Sequence, residues 1–315
     1  MTSRLRFVPS PVAVAAIVVT YYPDKGFKQR LDALLAQLTR VAIIDNGSEE
    51  SFLSPLQPYV EKRGVTIHRN STNLGIATAL NQGFEQLISE GYRWAITLDQ
   101  DSIPTAGMVA ALCNRLKADP EPTRVVMVGT NRQDPVNSQA EHLWVRPKRG
   151  LPFFERVSCG ALGHPGTTAV ITSGTLTNID AFRDVGPFRD EMFIDLVDTE
   201  YCLRSRRAGY RTIVACDANL IHRIGDKRTI SVFGIRIVAT HHTPIRRYYL
   251  FRNTVVLVRE YLHIYPHWVI YHVLALGQIL LGVLFEDKKC ATLWACFVGV
   301  YDGIRRRLGS APCEF

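Results

Sequence analysis

The first hundred residues alternate short apolar runs with stretches whose apolar residues recur every three or four positions. That alternation constrains the fold more than any other feature. Val12–Tyr21, Val41–Ile44, Val65–His68 and Trp94–Leu98 read as strands, rich in β-branched residues and long enough to be buried on both faces. Phe27, Leu31, Leu34, Leu35 and Leu38 fall on one helical face, as do Ile76, Leu80, Phe84, Leu87 and Ile88. Strands and helices in this order predict an α/β fold, a mostly parallel sheet with helices on both faces. Ligands of such sheets bind beyond the carboxyl ends of the strands. Chemistry is therefore expected at Thr20-Tyr21-Tyr22, Asp45-Asn46-Gly47-Ser48 and Leu98-Asp99-Gln100-Asp101.

Beyond this region the pattern changes. Val125–Ser173 reads as shorter strands and loops, Ile194–Ala208 as a helix opening with several acids, Arg211–Ala215 as a strand and Pro244–Tyr261 as a helix. Trp268–Phe285 and Ala291–Val300 are strongly apolar. A length of 315 residues suits one large α/β domain with an appendage, or two small domains. With 47% hydrophobic and 21% charged residues, disorder is excluded. The apolar run after Arg4 and Arg6 passes straight into Tyr21-Tyr22-Pro23-Asp24 without a small-residue cleavage site, so a buried strand accounts for it better than a signal peptide. None of the seven cysteines forms a Cys-x-x-Cys pair, which argues against a disulfide framework or a zinc ribbon and fits a reducing cytoplasm.

The formal charge of +8 is concentrated late in the chain, at Arg204–Arg211, Lys227–Arg228, Arg246, Arg247, Arg252, Lys288–Lys289 and Arg305–Arg307. Such an excess favours phosphate-bearing partners: nucleotides, nucleic acid or anionic lipid. No nucleic-acid motif accompanies it. Neither Gly-x-Gly-x-x-Gly after the first strand nor Gly-x-x-x-x-Gly-Lys-[Ser/Thr] occurs, which argues against a dehydrogenase or a P-loop enzyme. A phosphate would have to be met by a metal or by arginine.

Asp99 and Asp101, two positions apart, can aim two carboxylates at one point beyond the sheet, a donor pair that suits a hard divalent cation. The same letters also suit a capped turn. Asp195 and Asp198, placed on one helical face, are candidate general bases, although acids at a helix start are favoured by capping and by the dipole alone. His222 closes an apolar segment, and a single histidine there is as readily structural. His142, His164, His241, His242, His263, His267 and His272 receive no role. Two carboxylates also serve glycosidases, but those enzymes have no use for a nucleotide site.

Taken in order, the segments Val18–Tyr21, Asp45–Ser48, Asn73–Ala77 with Asn81-Gln82-Gly83, Leu98–Ser102, Ile171–Gly174, Phe193–Tyr201 with Leu203-Arg204, His222–Gly225 and Arg246–Asn253 resemble the inverting glycosyltransferases of family 2, and within them the bacterial rhamnosyltransferases. The resemblance runs from Val14 to about Asn253 and implies a GT-A fold, Rossmann-like and specialised for nucleoside-diphosphate sugars, with a C-terminal helical appendage. It implies a donor-binding half at about 10–105 and an acceptor-binding half at about 106–225 within a catalytic domain of residues 1–225, followed by a helical region, 226–315.

The same likeness assigns Thr20, Tyr21 and Asp45 to the base and ribose, Asn73 and Gly75 to the nucleotide loop, and Asp99 to the ribose. Asp101, with His222, would hold Mg2+ or Mn2+, and Asp198 would be the catalytic base. Arg246, Arg247, Tyr248, Tyr249 and Arg252 would meet the diphosphate or the acceptor. Where relatives carry Glu-Asp at the base position, this chain has Val197-Asp198, so Asp195 stays a rival for that duty. The implied donor is dTDP-L-rhamnose, or another nucleotide sugar used for cell-surface polysaccharide, and the implied acceptor a glycolipid or lipid-linked saccharide. No nucleic acid is expected. Trp268–Phe285, flanked by Lys288–Lys289 and Arg305–Arg307, is expected to touch the cytoplasmic face of the inner membrane, or else to be a buried helix or dimer interface.

Overall fold

The structure, a computed structural model, describes residues 9–62, 64–133, 144–147, 153–161, 166–222, 226–232, 235–284, 286, 288–312 and 315. Arg4, Arg6, Cys313 and the segment Arg223-Ile224-Gly225 lie outside them.

The four early apolar runs become β1 (Ala15–Thr20), β2 (Val41–Asp45), β3 (Val65–Arg69) and β4 (Trp94–Asp99), which pair in parallel in the order β3-β2-β1-β4. Alternation along each strand sends successive side chains to opposite faces. Ile17, Val19 and Ile44 join Leu80, Phe84 and Leu87 of α2 (Ile76–Ser89) on one side, while Ala16, Val18 and Ile43 join Phe27, Leu31 and Leu34 of α1 (Phe27–Leu35) on the other. Each such fully buried aliphatic or aromatic side chain contributes about 1.5–3 kcal/mol relative to exposure. Gly83 lets α2 lie this close: a Cβ there would stand 2.4 Å from Ile17 Cγ2.

The sheet continues with shorter pieces. After β5 (Ile103–Pro104) and α3 (Met108–Lys117) come β6 (Val125–Gln133) and the small antiparallel pair β7 (Trp144–Pro147) and β8 (Phe154–Val157). Then follow β9 (Thr175–Asn178), α4 (Ile179–Val185), α5 (Val197–Arg207) and β10 (Arg211–Ile221). Among the described residues the main sheet has eight strands, ordered β3-β2-β1-β4-β9-β6-β10-β5, with β9 antiparallel to both neighbours. The mostly parallel α/β sheet expected from the sequence is present, and α5 and β10 are placed near their expected spans.

Three local expectations are corrected. Residues 226–241 are not helical: β11 (Asp226–Val232) and β12 (Ile235–His241) form an antiparallel hairpin before α6 (Pro244–Tyr261), α7 (Pro266–Val283) and α8 (Lys289–Arg305). The helix expected from Ile194 begins at Val197, because Phe193, Asp195 and Leu196 have φ of 63°, 62° and 61°, outside helical space. Asp195 and Asp198 therefore do not share a helical face. Cys159 and Cys216, 57 positions apart in sequence, are joined in a disulfide because the segment after β8 packs beside β10, a neighbourhood that spacing alone does not reveal.

Candidate active site

The carboxyl ends of β1, β2 and β4 share one edge of the sheet because their registers run together: Thr20 pairs with Asp45, and Val19 with Asp99. At that edge Thr20 and Asp45 are buried, and Thr20 Oγ1 donates to Asp45 Oδ2 at 2.8 Å. Ser48 Oγ donates to the same oxygen, while the N–H groups of Gly47 and Ser48 donate to Oδ1. Each oxygen of Asp45 thus accepts two hydrogen bonds. The pair expected to meet the base and ribose, Thr20 and Asp45, holds the β2 turn closed at this edge. Tyr21 and Tyr22 are different: the two residues are 46% and 40% exposed at the same edge. Gln100 ties β1 to β4, accepting from Tyr21 N and donating to Tyr21 O.

Asn73 Oδ1 accepts from Gly75 N at 2.9 Å, which fixes the turn into α2. Gly75 has φ +86°, and a Cβ on it would stand 2.6 Å from Phe193 O. Only glycine suits both that dihedral and that approach. Ile76 N donates to Phe193 O at 2.7 Å, so the turn expected to cradle the nucleotide touches the loop that precedes α5.

Asp99 ends β4, and Asp101 follows in a tight turn rather than on the extended strand. The pairing of β5 with Leu220 and Ile221 of β10 swings His222 to the same spot. The ligand atoms of Asp99, Asp101 and His222 all lie within 4.8 Å of one another. His222 Nδ1 is 3.5 Å from Asp101 Oδ1 and 2.8 Å from Ser102 Oγ, which is itself 2.6 Å from Ser173 Oγ. Ser173 Oγ also accepts from Asp99 N. Two carboxylates with an imidazole make a donor set that fits a divalent cation. Burial pushes the carboxyl of Asp99 up to about 7, and the charges of Asp101 and Asp198 push the same way. A cation between these groups would remove that penalty, so the residues present fit the expected metal.

Asp198, in the first turn of α5, completes the cluster. Burial raises its proton affinity, against the opposing pull of Thr199 N–H, 2.7 Å from Oδ1, and of the Arg132 charge. Asp195 is committed elsewhere: Arg246 Nη2 donates to its Oδ1 at 2.7 Å. Arg246 also feels Asp99 and Asp101 and so faces the acidic centre. Arg132, at the end of β6, feels Asp198 and Asp99 in the same way. No motif in the sequence pointed to Arg132, because a lone arginine closing a central strand has no distinctive spacing. Ser102 and Ser173 stood inside recognised segments without a role.

Arg247, Tyr249 and Arg252, expected at the donor or acceptor, have partners within the chain. Arg247 is buried and pairs with Glu286 at 3.4 Å. Tyr249 stacks on Phe193, with ring centres 4.9 Å apart, and its hydroxyl accepts from Ala311 N. Arg252 is 0% exposed and gives its guanidinium to the carbonyls of Glu191, Met192 and Gly309 and to Asn253 Oδ1. Asn253 Nδ2 lies 2.8–3.0 Å from the carbonyls of Met192, Ile194 and Asp195. These α6 side chains clamp the loop that leads to Asp198.

Comparison with known proteins follows the same outline. The family model described as glycosyl transferase family 2 matches residues 15–185, which takes in Asp99 and Asp101 but stops short of Asp198 and His222. A curated relative from Shigella flexneri, dTDP-rhamnosyl transferase RfbF, is 30% identical over 248 residues, covering 78% of this chain and 80% of its own. The solved structure of GalNAc-T7 with UDP, GalNAc and Mn2+ matches 82% of this chain with a TM-score of 0.58 at 13% identity, and this chain spans about half, 49%, of that one. Residues 1–349 of TarS from S. aureus match 93% of this chain and 81% of their own, with a TM-score of 0.52 at 12% identity. At such identities the two structures show a shared fold and nothing more.

Proposed function

The chain belongs to glycosyltransferase family 2, and we propose that it moves L-rhamnose from dTDP-L-rhamnose to a hydroxyl of a glycolipid or lipid-linked saccharide. The donor follows from the name of the Shigella relative. One observation carries the reaction: Asp99, Asp101 and His222 are gathered within 4.8 Å, and Asp198 is near enough for its charge to raise Asp99.

Asp198 is the base. It takes the proton of the acceptor hydroxyl as that oxygen attacks the anomeric carbon. The bond from that carbon to the diphosphate oxygen breaks, and dTDP leaves with the bonding pair. One displacement inverts the centre, so a β-linked donor gives an α-L-rhamnoside. General-base help of this kind contributes about 10²–10⁴ in rate. Asp198 suits the task better than Asp195, whose carboxylate Arg246 already holds. Arg246 and Arg132 bring positive charge to the acidic centre and oppose the charge that builds on the departing diphosphate. A divalent cation, Mg2+ or Mn2+, held by Asp101 and His222, would add Lewis-acid stabilisation of that diphosphate. Asp99 faces the ribose, and the exposed Tyr21 offers a ring on which the base stacks.

Two coarser placements go with this reading. Residues 10–105 serve the donor, 106–225 the acceptor, and those from 226 onward form a supporting region. α7 is long and apolar enough to cross a membrane by composition, yet His267, Trp268, Val269, Gly282 and Val283 are buried against the protein. Its Leu274 and Leu281, and Leu284 just past its end, are more than half exposed, and Lys288 and Lys289 lie a few residues farther on, a pairing that suits peripheral contact with the anionic cytoplasmic leaflet of the inner membrane.

Incubation with a panel of nucleotide sugars and Mg2+ or Mn2+, following free nucleoside diphosphate, tests the reading. Release is expected from dTDP-L-rhamnose. Release only from another sugar nucleotide reassigns the donor to one used for surface polysaccharide, and release from none overturns the transferase.

A further inference from the structure

A groove of about 210 Å³ runs beside the acidic centre, between the end of β6 and the apolar helix α7. Arg132 and Thr199 stand at one side, Trp268, Tyr271 and His272 at the other, and Thr167–Ile171 lines it between them. Thr199 adjoins Asp198, and its N–H holds Asp198 Oδ1. We infer that this groove is the acceptor subsite, that it takes a saccharide head group, and that helix α7 supplies its far wall.

Three features support a sugar as the occupant. Tyr271 is only partly buried, and its ring is fixed from behind by Phe154, edge-on with centres 5.0 Å apart, and by the Arg156 guanidinium at 5.7 Å. A rigid aromatic ring in a groove that also holds threonine hydroxyls and a guanidinium matches the alternating apolar and hydroxylated faces of a pyranose. Trp268 is 1% exposed, and its indole N–H has no hydrogen-bond partner among the described residues. Buried donors of this kind are rare in native structures, and this one belongs to a residue that lines the groove. The wall itself is firmly docked: Trp268 stacks on His272 with centres 4.0 Å apart, and Thr168 Oγ1 lies 3.3 Å from His267 Nε2.

The groove also has a direction. Leu276 and Ile279, four and seven positions after His272 and so on the same face of α7, are partly exposed. Its rim therefore runs into apolar surface on α7, where an alkyl aglycone can lie while the sugar hydroxyl faces Asp198. The assignment rests on the transferase reading above, and it adds that residues beyond the catalytic sheet help to select the acceptor.

The test uses the full chain with dTDP-L-rhamnose, a divalent cation and a panel of methyl and octyl glycosides below their micellar concentrations, following dTDP release. At least one octyl glycoside is expected to raise release above the rate with water, at lower concentration than its methyl counterpart. Tyr271→Ala should raise the acceptor KM roughly tenfold, and Ala169→Phe, which fills the groove instead of emptying it, should do likewise. Both should keep the donor Kd and the slow release to water, and Tyr271→Phe should behave as wild type. Unchanged acceptor KM in both variants, or an equal loss of donor affinity, overturns the subsite. No stimulation by any glycoside overturns the saccharide occupant, and equal KM for methyl and octyl forms overturns the apolar rim. Failure of the wild type to bind any nucleotide sugar is a separate outcome, read in the donor arm, that removes the transferase reading itself.

Discussion

The two sides of the acidic centre are built by different means. On the donor side, Asp99 and Asp101 sit at the end of a strand whose neighbours in the sheet come from the same first hundred residues, paired in simple parallel registers. On the base side, Asp195 and Asp198 sit in and just after a loop in which Phe193, Asp195 and Leu196 all have positive φ. A non-glycine residue in that region costs about 1–2 kcal/mol. The opposing contacts come from afar in sequence: the amide of Asn253 and the guanidinium of Arg252 bind the loop's carbonyls from α6. Buried hydrogen bonds contribute about 0.5–1.5 kcal/mol each, and about 1.5–3 when one partner is charged, enough to offset such strain. Periodic packing fixes where the donor sits; a polar clamp fixes where the proton goes.

If that division holds, variants on the two sides should separate donor affinity from turnover. The largest effect is expected for Asp198→Asn, a loss of about 10²–10⁴ in kcat with donor Kd nearly unchanged. Steady-state turnover with calorimetry reads both, and near-normal kcat would break the assignment of the base. Asp101→Ala should weaken donor binding in the presence of metal by roughly 10–100-fold, in line with what loss of a metal-site contact does elsewhere. A chelator should do the same to the wild type, and unchanged affinity in both tests would take Asp101 out of the site.

Asn253→Ala probes the clamp. It leaves the carbonyls of Ile194 and Asp195 without their side-chain partner, while Arg252 still donates to Met192 O, at about 1–3 kcal/mol, so thermal unfolding should drop by several degrees and kcat by about tenfold while donor Kd holds. An equal fall in donor affinity would mean that the two sides are not separable.

The smallest effect concerns pH. Burial lowers His267 and His272 from 6.5 to about 4, and Arg206 adds to the effect on His267. The unfolded chain takes up protons below about 6.5 that the folded one refuses until about 4. Stability should therefore be full above pH 6.5 and fall as the pH drops toward 4. Denaturant midpoints at pH 7 and 5 would show it, and a flat profile would mean that these two rings are not held neutral by α7.

How much of this was legible in the sequence follows the same division. The β-branched runs and the Asp99–Asp101 spacing announce strand ends, and those are set locally. His222 could be paired with Asp101 only through resemblance, because the contact depends on the short β5–β10 pairing. Arg252 and Tyr249 read as ligands only through the resemblance of the Arg246–Asn253 segment, and nothing in that segment announces that both turn toward the loop and the tail. Asp45 reads as a base and ribose contact only through resemblance, and the four hydrogen bonds it accepts from Thr20 and from its own turn carry no signal in the sequence. α5 starts at Val197 and not at the expected Ile194 because the positive φ at Asp195 and Leu196 has no glycine to mark it. Arg132 carries no pattern at all; only the register of β6 brings it near Asp198.

The clamp also has a consequence in time. Arg252 reaches across to Gly309, whose N–H in turn donates to Glu191 O beside the base loop. A chain emerging from the ribosome can fold β1 to β4 early, but the loop bearing Asp195 and Asp198 waits for partners made 58–61 residues later. At about 5–20 residues per second that delay is on the order of three to twelve seconds. A half-made enzyme would thus be equipped to grip its nucleotide before it is equipped to spend it, and a bulky fusion placed just after Ala311 would press on proton transfer rather than on donor recognition.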